Sequence, residues 1–98
     1  MAVAAACGPQ VRSITGIVTY VGGGGPASVD AFRVRSADGT ELTLQVDRRL
    51  DIVNGLPAAH LREHLATGVP IVVEYVVESG GNAFALRYTD AVVPSTSP

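Results

Sequence analysis

His60-Leu61-Arg62-Glu63-His64 is the segment whose residue types and spacing come closest to chemistry. Two histidines at i and i+4 lie on one face of a helix and could share a metal ion. The five residues also match the inverted zinc-protease pattern H-x-x-E-H. Such an enzyme needs a third protein ligand and a substrate cleft. Only 34 residues follow His64, and nearly all read as a hairpin and a tail. Proteolysis is therefore not expected, and the chain reads as no enzyme. The structural alternative has His64 packing beside Leu61 and Leu65 while His60 and Glu63 face solvent. His60 and His64 stand as metal-ligand candidates, and the sequence demands no cofactor.

The other candidates are weaker. Gly22-Gly23-Gly24-Gly25 could cradle an anion through backbone N–H groups. It lacks the Lys-Ser/Thr and the following helix of a phosphate loop, so a flexible hairpin loop is the expectation. Arg48-Arg49 is too short for a basic patch and reads as a solvated corner. Cys7 is the single cysteine, which excludes a disulfide or a thiolate metal cluster within one chain. The small residues before it resemble the end of a bacterial lipoprotein signal, which makes Cys7 a lipidation candidate and would place the protein outside the cytoplasm. A basic n-region and a full apolar h-region are missing. An Ala-rich terminus with an incidental cysteine is the competing reading.

Composition bounds the class. Ninety-eight residues make one small domain, and 47% hydrophobic residues exclude wholesale disorder. Seven Arg and no Lys against nine acidic residues give a net charge of −2. That is a poor footprint for nucleic acid, whose binding is dominated by phosphate neutralisation. The ordered part is expected over residues 11–93, between a flexible terminus at 1–10 and a flexible tail at 94–98.

Within it, alternation and turn signals predict three strands, one helix and two strands. The first strand, about residues 11–21, is rich in β-branched residues and interrupted by Gly16, which suits a bend in a strand serving both halves of a barrel. Phe32 and Val34 alternate with Arg33 and Arg35; Leu42 and Leu44 alternate with Glu41, Thr43 and Gln45. A three-residue loop with Gly39 in the left-handed position sets Val34 opposite Leu42, Phe32 opposite Leu44 and Arg35 opposite Glu41. The helix, roughly residues 57–67, starts at Pro57, carries an apolar stripe of Ala58, Leu61 and Leu65, and stops at Gly68. In the last hairpin a four-residue loop, residues 79–82, pairs Val77 with Phe84 and Tyr75 with Leu86 inside, and Glu74 with Arg87 outside.

This order, with the bend at Gly16 and the helix after the third strand, resembles an OB-fold domain over about residues 11–92. The match is one of architecture and carries no family signature. It implies an all-β, five-stranded barrel with one helix between strands three and four. It also implies a ligand site on the outer face of strands two and three, holding Arg33, Arg35, Glu41, Thr43 and Gln45, flanked by a loop containing Gly23 and Gly24. Nucleic-acid members need aromatic platforms in a basic groove. The register turns Phe32 inward and leaves no aromatic on this face, so the expected partner is a protein or a small ligand. Single-stranded nucleic acid and a metal ion are the alternatives, and a membrane enters only through Cys7.

Overall fold

The computed structural model describes residues 10–25 and 28–91. Cys7, the expected flexible terminus short of Gln10 and the expected tail at 94–98 lie outside the described residues. The chain folds into a closed barrel of five strands: β1 (Arg12–Gly22), β2 (Ala31–Ser36), β3 (Glu41–Gln45), β4 (Ile71–Val77) and β5 (Ala83–Asp90). The order around the barrel is β1-β2-β3-β5-β4, closing on β1. Every pairing is antiparallel except the short parallel one between β3 and β5. Between β3 and β4 come a 3-10 turn, Ala58–His60, and a helix, α1 (Leu61–Thr67).

β1 is the element that closes the barrel. Its first half pairs with β4 and its second half with β2, and Gly16 belongs to both ladders. A Cβ at Gly16 would overlap the Arg35 carbonyl, so only glycine lets two backbones meet there. The ladder with β2 then slips by one residue at Thr19, a β-bulge. Val18 and Val21 face inward, and Tyr20 between them turns out beside Arg33.

The β2–β3 hairpin has the expected register, Phe32 with Leu44, Val34 with Leu42 and Arg35 with Glu41. The Gly39 N–H bonds the Ser36 carbonyl, and Gly39 has φ of +90°. The β4–β5 hairpin uses the same turn: the Gly81 N–H bonds the Glu78 carbonyl, with φ of +88°. That loop is one residue shorter than the sequence suggested, which corrects the register. Val77 pairs with Ala83 and Tyr75 with Ala85, so Ala83 and Ala85 are buried where Phe84 and Leu86 were expected. A one-residue change in loop length moves every partner to the other face. Leu86 is then skipped as a bulge, which restores the expected Glu74–Arg87 pair and turns Tyr88 inward against Val73.

The core gathers Phe32, Val34, Leu44, Leu61, Ile71, Val73 and Tyr88, each at most 1% exposed. The helix packs at one end of the barrel. Its buried residues are Leu61 and His64, and Leu65 is 40% exposed, which corrects the stripe inferred from sequence. Because the entry turn is 3-10, the inward face runs through Ala58, Leu61 and His64, three residues apart. Gly68 ends α1 at φ of +75°, donating its N–H to the His64 carbonyl.

Candidate functional site

Two places on the barrel gather polar side chains with unspent chemistry. The first is the outer face of β1, β2 and β3. Arg33 stands opposite Thr43 on β3 and Tyr20 on β1. Its Nε donates to Thr43 Oγ1 at 3.3 Å, and its guanidinium lies 5.4 Å from the centre of the Tyr20 ring. Tyr20 is 47% exposed, an aromatic that the β1 bulge aims outward. Arg35 faces Glu41 in register, yet the two form no ion pair among the described residues, so the expected cross-strand attraction is not made. Gln45 is flanked in the parallel ladder by Phe84. The face therefore does carry aromatics at its borders, Tyr20 from β1 and Phe84 from β5. This corrects the expectation of none: strand alternation missed Tyr20 because of the bulge at Thr19 and Phe84 because of the shorter β4–β5 loop.

The arginines of the molecule fall into two groups. Arg49 holds Asp47 at 2.9 Å and Glu78 at 2.6 Å and lies 3.9 Å over the Phe84 ring. Arg48 and Arg49 are both exposed, as a solvated corner requires, and Arg49 also ties the connector to the β4–β5 turn. Arg87 holds Glu74 at 3.2 Å and donates to the Asn54 carbonyl. Arg33 and Arg35, by contrast, have no carboxylate partner among the described residues. Gly23 sits against the Ser28 carbonyl, where a Cβ would not fit, and Gly24 is open to solvent. Neither is engaged with the Arg33 face by a hydrogen bond among the described residues.

The second place is the helix end of the barrel. His64 is 4% exposed, and its Nδ1 lies 2.8 Å from the Val69 carbonyl. A carbonyl only accepts, so Nδ1 carries a proton and donates to it, and Nε2 is the ring nitrogen left for another partner. That Nε2 has Asp90 Oδ1 at 2.7 Å but makes no hydrogen bond with it. His60 lies one turn earlier, its ring 4.8 Å from that of His64 and nearly perpendicular to it. Glu63 holds His60 Nδ1 at 2.9 Å. His60, His64 and Asp90 each offer a ligand atom, all within 4.8 Å of one another. A pocket of about 270 Å³ opens here, lined by these three with Glu63, Thr67 and Val69.

Asp90 is the member sequence reasoning missed. It ends β5, 26 residues after His64, and nothing in its neighbours marks it. It reaches the helix because β5 runs antiparallel to β4, which sets Asp90 opposite Ile71, the first residue of the strand that follows α1. The chain matches no protein-family model, no curated protein and no solved structure, so its function is argued from this geometry.

Proposed function

We propose that this domain is a non-enzymatic, OB-like binding module that takes an acidic group of a protein or small ligand on the outer face of β1, β2 and β3. One observation carries the reading: Arg33 is held in place by a neutral hydroxyl and an aromatic ring, with no carboxylate spending its charge. A guanidinium so positioned keeps donors for a bidentate carboxylate, and its planar geometry is already set. Arg35, Thr43 and Gln45 extend the polar surface around it. The strand order around the barrel is compatible with an OB-like architecture, in which this face is the usual place for ligands.

Titration of an aspartate- and glutamate-rich peptide into ¹⁵N-labelled protein tests the reading. Shifts are expected at Tyr20, Arg33 and Thr43, and they should vanish in Arg33→Ala. Shifts confined to other surfaces, or unchanged in that variant, would refute it. A second reading is single-stranded nucleic acid, supported by Tyr20 and Phe84 at the borders of the same face, since each stacked base contributes about 1–3 kcal/mol. The net charge of −2 weighs against it. Salt-dependent binding of a labelled oligonucleotide, absent in Tyr20→Ala, would favour the second reading over the first.

A further inference from the structure

The helix end of the barrel holds a site independent of the outer face. We propose that His60, His64 and Asp90 bind a borderline divalent transition-metal cation, Zn²⁺ foremost. Both histidines have Nδ1 occupied by an acceptor, His60 by the Glu63 carboxylate and His64 by the Val69 carbonyl. Metal-ligating histidines are oriented in this way: a partner on one ring nitrogen fixes the tautomer and leaves the other as the donor atom. His64 Nε2 is that other nitrogen, buried and without a hydrogen-bond partner among the described residues. A buried, unpaired ring nitrogen is costly unless something satisfies it.

Asp90 Oδ1 lies 2.7 Å from that nitrogen yet makes no hydrogen bond with it, so a carboxylate oxygen and a ring nitrogen face the same small space. A cation held by both would satisfy the two atoms together. In a tetrahedral site, zinc–nitrogen and zinc–oxygen bonds of about 2.0–2.2 Å place ligand atoms roughly 3.3–3.6 Å apart. The three ligand atoms lie within 4.8 Å of one another, so the partly exposed His60, at 32%, is the member that has to move closer to complete the set.

The donor types select the metal. Two imidazoles and one carboxylate suit zinc and its first-row neighbours, whereas calcium and magnesium prefer oxygen throughout. Three protein ligands leave a fourth position for water, and the 270 Å³ pocket has room for it. The fold supplies the rigidity. His64 is anchored in the core on a helix, and Asp90 is fixed by the β4–β5 ladder.

Calorimetric titration of ZnCl₂ into chelator-stripped full-length protein tests this, in a Cys7→Ser background so that a terminal thiol cannot contribute. The expectation is one zinc per chain at micromolar affinity or better, weakened by about tenfold or more in His60→Ala and in Asp90→Asn. Zinc should also raise the melting temperature of the parent by more than that of either variant. His64→Ala removes a buried side chain, so the two more exposed ligands carry the test. Absence of both heat and thermal shift in large zinc excess would overturn the proposal. So would binding that neither variant weakens.

Discussion

Tyr88 shows how one residue couples the core to the helix end. Its ring is 1% exposed and lies 6.4 Å from that of Phe32, while its hydroxyl donates to the Pro57 carbonyl at 2.5 Å, pinning the entry to the helix. Burial pushes the Tyr88 phenol well above its usual value near 10, and the charge of Asp90 adds to the effect. The folded chain therefore keeps this proton where the unfolded chain would lose it. The associated stability is fully present below about pH 10 and falls as pH rises beyond it, by up to about 1.4 kcal/mol per pH unit. Tyr88→Phe is expected to cost about 1 kcal/mol at neutral pH, the worth of the hydrogen bond. It should also flatten the alkaline decline. Urea midpoints measured from pH 8 to pH 11 check both, and parallel declines in the two proteins would refute the account. At this scale the sequence was partly legible. The types and spacing of His60 and His64 marked them as candidates, because chemistry depends on residue type, whereas Arg33 and Thr43 were candidates only through the resemblance to an OB-fold. The packing of His64 beside Leu61 was legible, but the exposure of Leu65 was hidden, because it follows from a 3-10 turn that the 3.6-residue period does not encode.

At the scale of elements, the hairpin register of β2 and β3 was fully legible because alternation, turn chemistry and Gly39 all specify the same pairing. The β4–β5 hairpin was legible only on one strand. Ile71, Val73, Tyr75 and Val77 do point inward or pack on the core, but the Leu86 bulge is a property of the pair of strands and leaves no mark in either one alone. The two bulges do opposite work: that at Thr19 sends Tyr20 out to the candidate face, and that at Leu86 brings Tyr88 in. Gly16 was legible as a bend, and its neighbours show how strict the requirement is. The atoms that a Cβ would meet are the backbone of Arg35 and Ser36, which cannot rotate away. Gly16→Ala is therefore expected to destabilise the fold by about 2–3 kcal/mol, as overpacking at a fixed backbone does. Gly24→Ala, with nothing within 4 Å, should stay within about 0.5 kcal/mol of the parent. Chemical denaturation of the two variants separates these outcomes, and equal stabilities would mean that β1 does not close the barrel at Gly16.

Across the whole molecule, strand connections are closed by aspartates. In the β2–β3 turn Asp38 accepts from Ser36 Oγ and the Thr40 N–H, and these bonds hold its carboxyl down at about 2. After β3, Asp47 accepts from the Arg49 side chain and backbone, which lowers its pKa. Four residues on, Asp51 accepts from the Asn54 and Val53 N–H groups and from the Asn54 amide, again with a lowered pKa. A carboxylate whose folded pKa is depressed contributes stability that is present above its unfolded value near 3.8 and is lost as pH falls through the folded value. All three act in the same direction, so acid should loosen the β2–β3 turn and the connector to the helix together. The barrel is expected to lose stability between about pH 4 and pH 2, the range that ends where Asp38 titrates, at about 2. The Asp38→Asn, Asp47→Asn, Asp51→Asn triple variant should be less stable than the parent at pH 7 and nearly level with it at pH 2. Far-ultraviolet dichroism followed through urea at each pH measures this directly. A difference between parent and variant that stays constant down to pH 2 would show that the aspartates act through shape and not charge. The exposed ion pairs Arg49–Glu78 and Arg87–Glu74 are a separate electrostatic contribution. Salt screens such pairs strongly, whereas the short hydrogen bonds of Asp38 and Asp51 to their own turns are less affected. Repeating the series at high ionic strength thus distinguishes the two sources, and an acid transition that survives salt is the signature of the turn aspartates.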